Sequence, residues 1–151
     1  MRAIVQRVIE ASVTNEDKLF SKIETGLLVY SCWIDDDEQE DVIWMSKKIT
    51  QMRIFNGENG KPDINLNDAD AELMIVSQFS LYASLAKGNR PSFTKAAKPE
   101  ICLPLYHSFI QELNTLCKNN VKCGMFGTDM NVHSINNGPM TIILDSKRIE
   151  L

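Results

Sequence analysis

This 151-residue sequence holds only two histidines and four cysteines, the side chains that most readily drive covalent hydrolysis at neutral pH. Covalent hydrolysis needs a Ser, Cys or Thr beside a general base, usually a histidine held by a third group. His107 falls in a predicted helix and His133 in a predicted strand, so either could act only if the fold carried it to a nucleophile. The cysteines, Cys32, Cys102, Cys117 and Cys123, form no C-x-x-C pair and have no obvious activating partner. They read as reduced core thiols, and neither a metal nor a cofactor is expected. G-x-S-x-G, H-E-x-x-H, G-x-x-x-x-G-K-[ST] and G-x-G-x-x-G are all absent. Two strings remain. Ser-Gln-Phe-Ser-Leu (Ser77–Leu81) closes an apolar run, where side chains and freed backbone N–H groups can face a pocket. Asn-Asn-Gly-Pro-Met-Thr (Asn136–Thr141) interrupts another, and Asn-Gly-Pro reads first as a surface turn.

The elements that must position these strings follow from apolar periodicity. "AIVQRVIEASVT" alternates as a strand, and "GLLVYSCW" (Gly26–Trp33) is a more deeply buried one. A helix follows with Val42, Ile43, Met45, Ile49 and Met52 on its apolar face; Asp35, Asp36 and Asp37 are placed to cap and charge its start. "FNGENGKPDINLN" is an excursion or loose hairpin, and "ELMIVSQF" (Glu72–Phe79) a buried strand. Residues 82–98 are loop. A second helix starts at Pro99 or just past Pro104, which implies a late start or a kink. Three short strands, "VKCGMF", "MNVHSI" and "MTIILDS", complete the pattern. The length suits one domain over residues 1–151, an α+β domain with a core of curved, mostly antiparallel sheet, barrel- or sandwich-like, packed with two main helices.

A net charge of −4 argues against tight, non-specific nucleic-acid binding through the overall field. The distribution is uneven, however: between Glu72 and Glu100 the chain carries Lys87, Arg90, Lys95 and Lys98 and no acid. These four are either simply solvated or candidates for phosphate contacts. No apolar run is long enough to span a bilayer, and "MRAIVQRVIEASVT" lacks the unbroken apolar core of a signal peptide, so a cytoplasmic protein is expected.

Together with "QRV" at Gln6–Val8, "RPSF" at Arg90–Phe93, "RIF" at Arg53–Phe55 and "GMFGTDM" at Gly124–Met130, the two strings resemble the D-aminoacyl-tRNA deacylases nearly end to end. That family's signatures are Ser-Gln-Phe-Thr-Leu and Asn-x-Gly-Pro-Val-Thr. Two positions depart: Ser80 stands for Thr, keeping the hydroxyl, and Met140 stands for Val, still apolar. The resemblance implies a homodimer whose sites lie at the interface and whose partner is the acceptor end of aminoacyl-tRNA, with no membrane or DNA partner. It implies a cis Gly138–Pro139 peptide, presented by one subunit to the other, whose carbonyls accept the α-amino group and exclude an L side chain while admitting D-aminoacyl and glycyl esters, including glycine mischarged onto tRNA(Ala).

In the same resemblance Arg7 steadies the Gly-Pro segment; without it, Arg7 reads equally as an edge-strand arginine in a surface ion pair. Asn136 and Thr141 flank the pair. The ester is already activated by the neighbouring ribose hydroxyl, so oxyanion stabilisation by backbone N–H groups of Phe79 and Ser80 suffices, with Ser77 and Gln78 shaping the site. Phe126 and Met130 match positions near the terminal adenosine, though both fit core packing as well. An L-alanyl-tRNA editing relative, with Pro-Gln-Ala-Thr-Leu where Ser77–Leu81 stands, and a non-catalytic tRNA-binding module are the alternatives.

Overall fold

A computed structural model of the protein describes residues 1–148. In chain order the elements are β1 (Arg2–Asn15), β2 (Lys18–Ile23), β3 (Gly26–Cys32), α1 (Gln39–Gln51), β4 (Phe55–Asn56), β5 (Pro62–Ile64), β6 (Glu72–Ser77), a 3-10 turn (Phe79–Tyr82), α2 (Pro99–Leu116), β7 (Lys122–Cys123) and β8 (Asn131–Asp145). Among the described residues no helix is long and apolar enough to cross a membrane.

Long β1 organises the sheet. One edge pairs antiparallel with β8 over nearly its whole length, from Arg2 opposite Asp145 to Thr14 opposite Asn131. The other edge is shared: residues 2–8 pair with β3 and residues 11–15 with β2, both antiparallel. Beyond β3 come β6 and then β7, each parallel to its neighbour, in the order β2-β1-β3-β6-β7. Antiparallel pairing prevails as expected, and β2 curls back toward β6 and β7, nearly closing a barrel. The hairpin expected after α1 is the β4–β5 pair.

Alternation along β3 and β6 feeds two apolar layers, because successive side chains leave a strand on opposite faces. Leu27, Val29, Leu73 and Ile75 pack with Val42, Met45 and Ile49 of α1 and with Phe109 and Leu113 of α2, where Trp33 meets Tyr106 and Phe109 edge-on at ring distances of 5.8 and 5.9 Å. Leu28, Met74 and Val76 fill the curl with Val8, Ala11, Val13 and Ile23. Strands buried on both faces read as continuous apolar runs, which is why these two stood out in sequence.

Several expectations need correction. The acidic run does not cap α1 through Asp35–Asp37. Glu38 is the N-cap and forms a reciprocal capping box with Asp41, while Asp37 accepts from the Ile34 N–H (2.8 Å) and from the Met1 amino group. Helix α2 starts at Pro99 and runs through Pro104. So near the N-terminus the missing N–H costs one ladder bond. β2 was not anticipated, since "KLFSKI" places Leu19 and Phe20 side by side and exposes both. The buried strand stops at Ser77 instead of Phe79, and of "VKCGMF" only Lys122–Cys123 is strand. The last two expected strands are one strand, β8, passing straight through Asn-Gly-Pro.

Two measurements test these contacts. A Cβ built on Gly26 would lie 2.1 Å from the Glu72 carbonyl oxygen across the parallel ladder, and backbone cannot move aside as a flexible side chain can. Gly26→Ala should destabilise by about 2 kcal/mol, lowering the melting temperature by several degrees; an unchanged melting curve would show that the ladder yields there. Asp41 gives a pH signature. Burial alone would raise its carboxyl, but hydrogen bonds from Lys147, Ser146 and the Glu38 backbone outweigh it and hold the group at about 2. A lowered native pKa adds stability that is present above the unfolded value, about 4, and lost as pH falls through the native one. The urea midpoint should drop from about pH 4 to pH 2, and Asp41→Asn, already weaker at neutral pH, should drop less over that window. Equal drops would place the acid sensitivity elsewhere.

Candidate active site

The parallel strands β3 and β6 end at the same rim, and a cavity of about 520 Å³ opens there. Its walls are the strand ends (Ser31, Cys32, Ser77), the residues that follow β6 (Gln78, Phe79), Phe93 with Ala96 and Ala97, the start of α2 at Pro99 and Cys102, and the residues from Phe126 to Met130 with Val132. Five of the expected site residues meet in it: Ser77, Gln78, Phe79, Phe126 and Met130. The Gln78 N–H donates to the Ser31 carbonyl (2.8 Å), tying the chain to β3 as it leaves the sheet. The 3-10 turn then begins. The Phe79 and Ser80 N–H groups, first in that turn, have no acceptor among the described residues, as befits a helical N-terminus. Ser80 lies just outside the cavity wall, and its hydroxyl accepts from Gln78 Nε2 at 2.6 Å, fixing the amide. From the far side Arg2 holds the turn: Nη1 donates to the Leu81 carbonyl (2.9 Å), Nε and Nη2 grip Asp145, and the guanidinium stacks 4.4 Å over the Tyr82 ring.

Phe126 is half-buried against Tyr106, with ring centroids 5.1 Å apart, and the Met130 sulfur accepts from the Met125 N–H (3.1 Å). Both therefore serve the core and the cavity wall at once. His107 and His133 are exposed and line no part of the cavity. Cys32 does line it, but burial pushes its thiol up to about 12, so neutral pH leaves it protonated. No group of three or more His, Cys, Asp or Glu among the described residues is placed to hold a metal ion.

The remaining expected residues form a second cluster, outside this cavity. On β8 the pairing jumps from Thr141 opposite Gln6 to Asn136 opposite Val8, so Asn137–Met140 stand against Arg7 alone and bulge from the ladder. Gly138 and Pro139 lie exposed in that bulge, and the peptide between them is cis. Arg7 is 6% exposed and lies on a strand paired along both sides, neither on an edge strand nor in a surface ion pair. Its Nε donates to the Asn137 carbonyl (3.2 Å), and its Nη1 donates to the Ile54 carbonyl and to Asn56 Oδ1. Asn136 Nδ2 donates to the Arg7 and Met140 carbonyls, crossing the base of the bulge, and Gln6 Nε2 reaches the Thr141 hydroxyl at 3.3 Å. A Cβ on Gly138 would meet only Asn136 Oδ1, at 3.8 Å, so this chain's own packing does not require glycine there.

Lys87, Arg90, Lys95 and Lys98 are all exposed. They do not form one patch at the cavity: Lys95 lines a second cavity with Arg2, Tyr82 and Lys147, and Lys98 is the N-cap of α2. Phe93, whose ring lines the first cavity, was missed as an individual residue, although "RPSF" marked the segment.

The family model described as D-Tyr-tRNA(Tyr) deacylase matches residues 4–145. The chain belongs to that family. Among curated members, a D-aminoacyl-tRNA deacylase of Flavobacterium psychrophilum is 48% identical over 99% of this chain and 100% of its own, and one of Parabacteroides distasonis is 49% identical over the same shares. A solved structure titled c-Myc DNA Unwinding Element Binding Protein superposes with a TM-score of 0.91 at 37% identity, covering 96% of this chain and 98% of its own. One of a probable eukaryotic D-amino acid tRNA deacylase gives 0.82 at 18% identity, over 95% and 97%, a likeness of fold alone.

Within a deacylase-family fold, the protonated Cys32 thiol carries its own test. Iodoacetamide at neutral pH should modify it about a thousandfold more slowly than a free thiol, with labelling appearing only on unfolding, as peptide mass spectrometry would report. Rapid labelling in the native state would reopen a thiol mechanism.

Proposed function

We propose that the protein hydrolyses the ester of D-aminoacyl-tRNA, and glycyl-tRNA mischarged onto tRNA(Ala), as a homodimer that spares L-aminoacyl esters. The observation that carries this reading is the division of the motif residues: a cavity with free backbone donors but no nucleophile–base pair, and a separate, braced, exposed Gly-Pro bulge. Two half-sites on one chain become one site when a second copy supplies the missing half. Ile135 before the bulge and Ile143 after it are each about half exposed, at 50% and 53%, and give a second copy apolar surface to cover. Ser77 and Phe79, in place of the Pro and Ala of the L-alanyl editing relative, favour the D-specific branch.

In this scheme the terminal adenosine rests against Phe126 and Met130. The Phe79 and Ser80 N–H groups face the ester carbonyl and stabilise the oxyanion as it forms, and Gln78, fixed by Ser80, borders the reacting atoms. The neighbouring ribose hydroxyl, or a water, attacks. Gly138 and Pro139 of the partner subunit line the α-carbon, where an L side chain collides and a D side chain or a hydrogen does not. Discrimination resides in rigid backbone, which explains Arg7's burial among carbonyls.

The decisive experiment follows deacylation of D-tyrosyl-, L-tyrosyl- and glycyl-tRNA by wild type, Gly138→Ala and Ser80→Ala. Wild type should cleave the D and glycyl esters and spare the L ester. Gly138→Ala, which the monomer accommodates, should lose at least about tenfold on both substrates. Ser80→Ala should stay within about tenfold of wild type, since losing a true nucleophile costs about 10⁴-fold or more. Equal cleavage of D and L esters would overturn the filter, and tRNA binding without turnover of any ester would favour the binding module.

A further inference from the structure

We infer that Phe93, with Phe79, forms a stacking bracket at the cavity mouth for the base of the nucleotide preceding the terminal adenosine, with Lys87 and Arg90 drawing in its phosphates. This rests on the proposed aminoacyl-tRNA substrate and extends it to a second nucleotide of the single-stranded 3′ end.

Phe79 and Phe93 both line the cavity, yet they are 58% and 39% exposed, so neither is core. Their rings meet edge to face, with centroids 4.8 Å apart and planes 78° apart, which leaves aromatic face open to a third flat group. Phe126, half-buried behind them, belongs to the interior of the same cavity. A strand whose last base enters the cavity can lay its preceding base across the exposed pair.

The segment carrying Phe93 is held on both sides. Ser84 and Ser92 exchange backbone hydrogen bonds of 2.8 and 2.9 Å, closing the loop between them; after Phe93, the Ala96 N–H donates to the Phe93 carbonyl (3.1 Å) and the Ala97 N–H to the Trp33 carbonyl (2.9 Å). An exposed aromatic on a pinned backbone is arranged for a ligand. The closed loop turns at Gly88 (φ 120°) and carries exposed Lys87 and Arg90, neither with an ion-pair partner among the described residues. Unpaired cations on the loop that leads into an exposed aromatic pair suit single-stranded nucleic acid, and stacking of this kind tolerates any base. An apolar peptide would leave those cations unanswered.

The test compares one D-amino acid esterified to adenosine, to the dinucleotide CpA and to tRNA, with wild type, Phe93→Leu and Phe93→Tyr. In wild type the step from adenosine to CpA should raise kcat/KM about tenfold, mainly through KM. Phe93→Leu should erase most of that gain and Phe93→Tyr keep it. An equal loss by Phe93→Leu on all three substrates, or no loss on any, overturns the bracket. A second readout needs no turnover: in an RNA trinucleotide carrying 2-aminopurine as its middle base, wild type should quench the fluorescence and Phe93→Leu should not. Quenching without ester cleavage would sink the deacylase reading alone, and equal quenching by both proteins would sink the bracket alone.

Discussion

Strand β1 is the constraint on which the other elements depend, because its two edges together carry three partners. β8 occupies one edge throughout, and β3 and β2 divide the other. A strand so fully paired cannot slip by one residue without turning Val5, Val8, Ala11 and Val13 out of the layers they fill. Its register therefore sets the height of β3, β3 sets that of the parallel β6, and the rim where β3 and β6 end is where the cavity opens. The same register sets Arg7 opposite the bulge of β8. One strand thus fixes both the cavity rim and the bulge, although they share no wall.

Two arginines on β1 hold the 3-10 turn and the bulge through carbonyl groups. Arg2 reaches the Leu81 carbonyl at the end of the 3-10 turn, and Arg7 the Asn137 carbonyl at the start of the bulge. In each case a planar fork spends its remaining donors on other acceptors, so its position is overdetermined. Lysine has neither the geometry nor the number of donors for this. The acids are gathered elsewhere: Asp37, Asp41 and Asp145 are engaged by Met1, Lys147 and Arg2 around the start of α1 and the end of β8. That leaves the loop bearing Lys87 and Arg90 free of competing carboxylates on an otherwise acidic protein.

What could be read from sequence follows burial. β3, β6 and the apolar faces of both helices were legible because packing on one or two faces imposes a period on residue type. β2 was not, since Leu19 and Phe20 lie on an exposed hairpin and obey no alternation. The Asn-Gly-Pro string misled in a specific way. These residues signal a break when a chain must turn, but a bulge also uses them, and β1 continued the ladder across it. The helix cap was missed by one residue because four successive acids offer several caps, and the Ile34 N–H and Met1 amino group claimed Asp37. The motif residues were found as strings, but strings carry no partition; that some line a cavity while others project from a bulge is a property of register alone.

That partition bears on the kind of catalyst this fold can be. Beside its cavity stand the free Phe79 and Ser80 N–H groups and a Ser80 hydroxyl already committed to Gln78, while burial raises both of its cysteine thiols, Cys32 and Cys102. Such a site cannot drive a demanding hydrolysis, in which the substrate needs an activated nucleophile. It can serve an ester that is itself activated, where positioning and oxyanion stabilisation supply what the barrier requires. On the proposed reading the burden then shifts from reactivity to selection, and selection by backbone is coarse toward side-chain identity but strict toward geometry. A carbonyl lining cannot tell one side chain from another; it can tell on which side of the α-carbon a side chain stands. An enzyme built this way would accept many amino acids of one hand, and glycine because glycine has no hand.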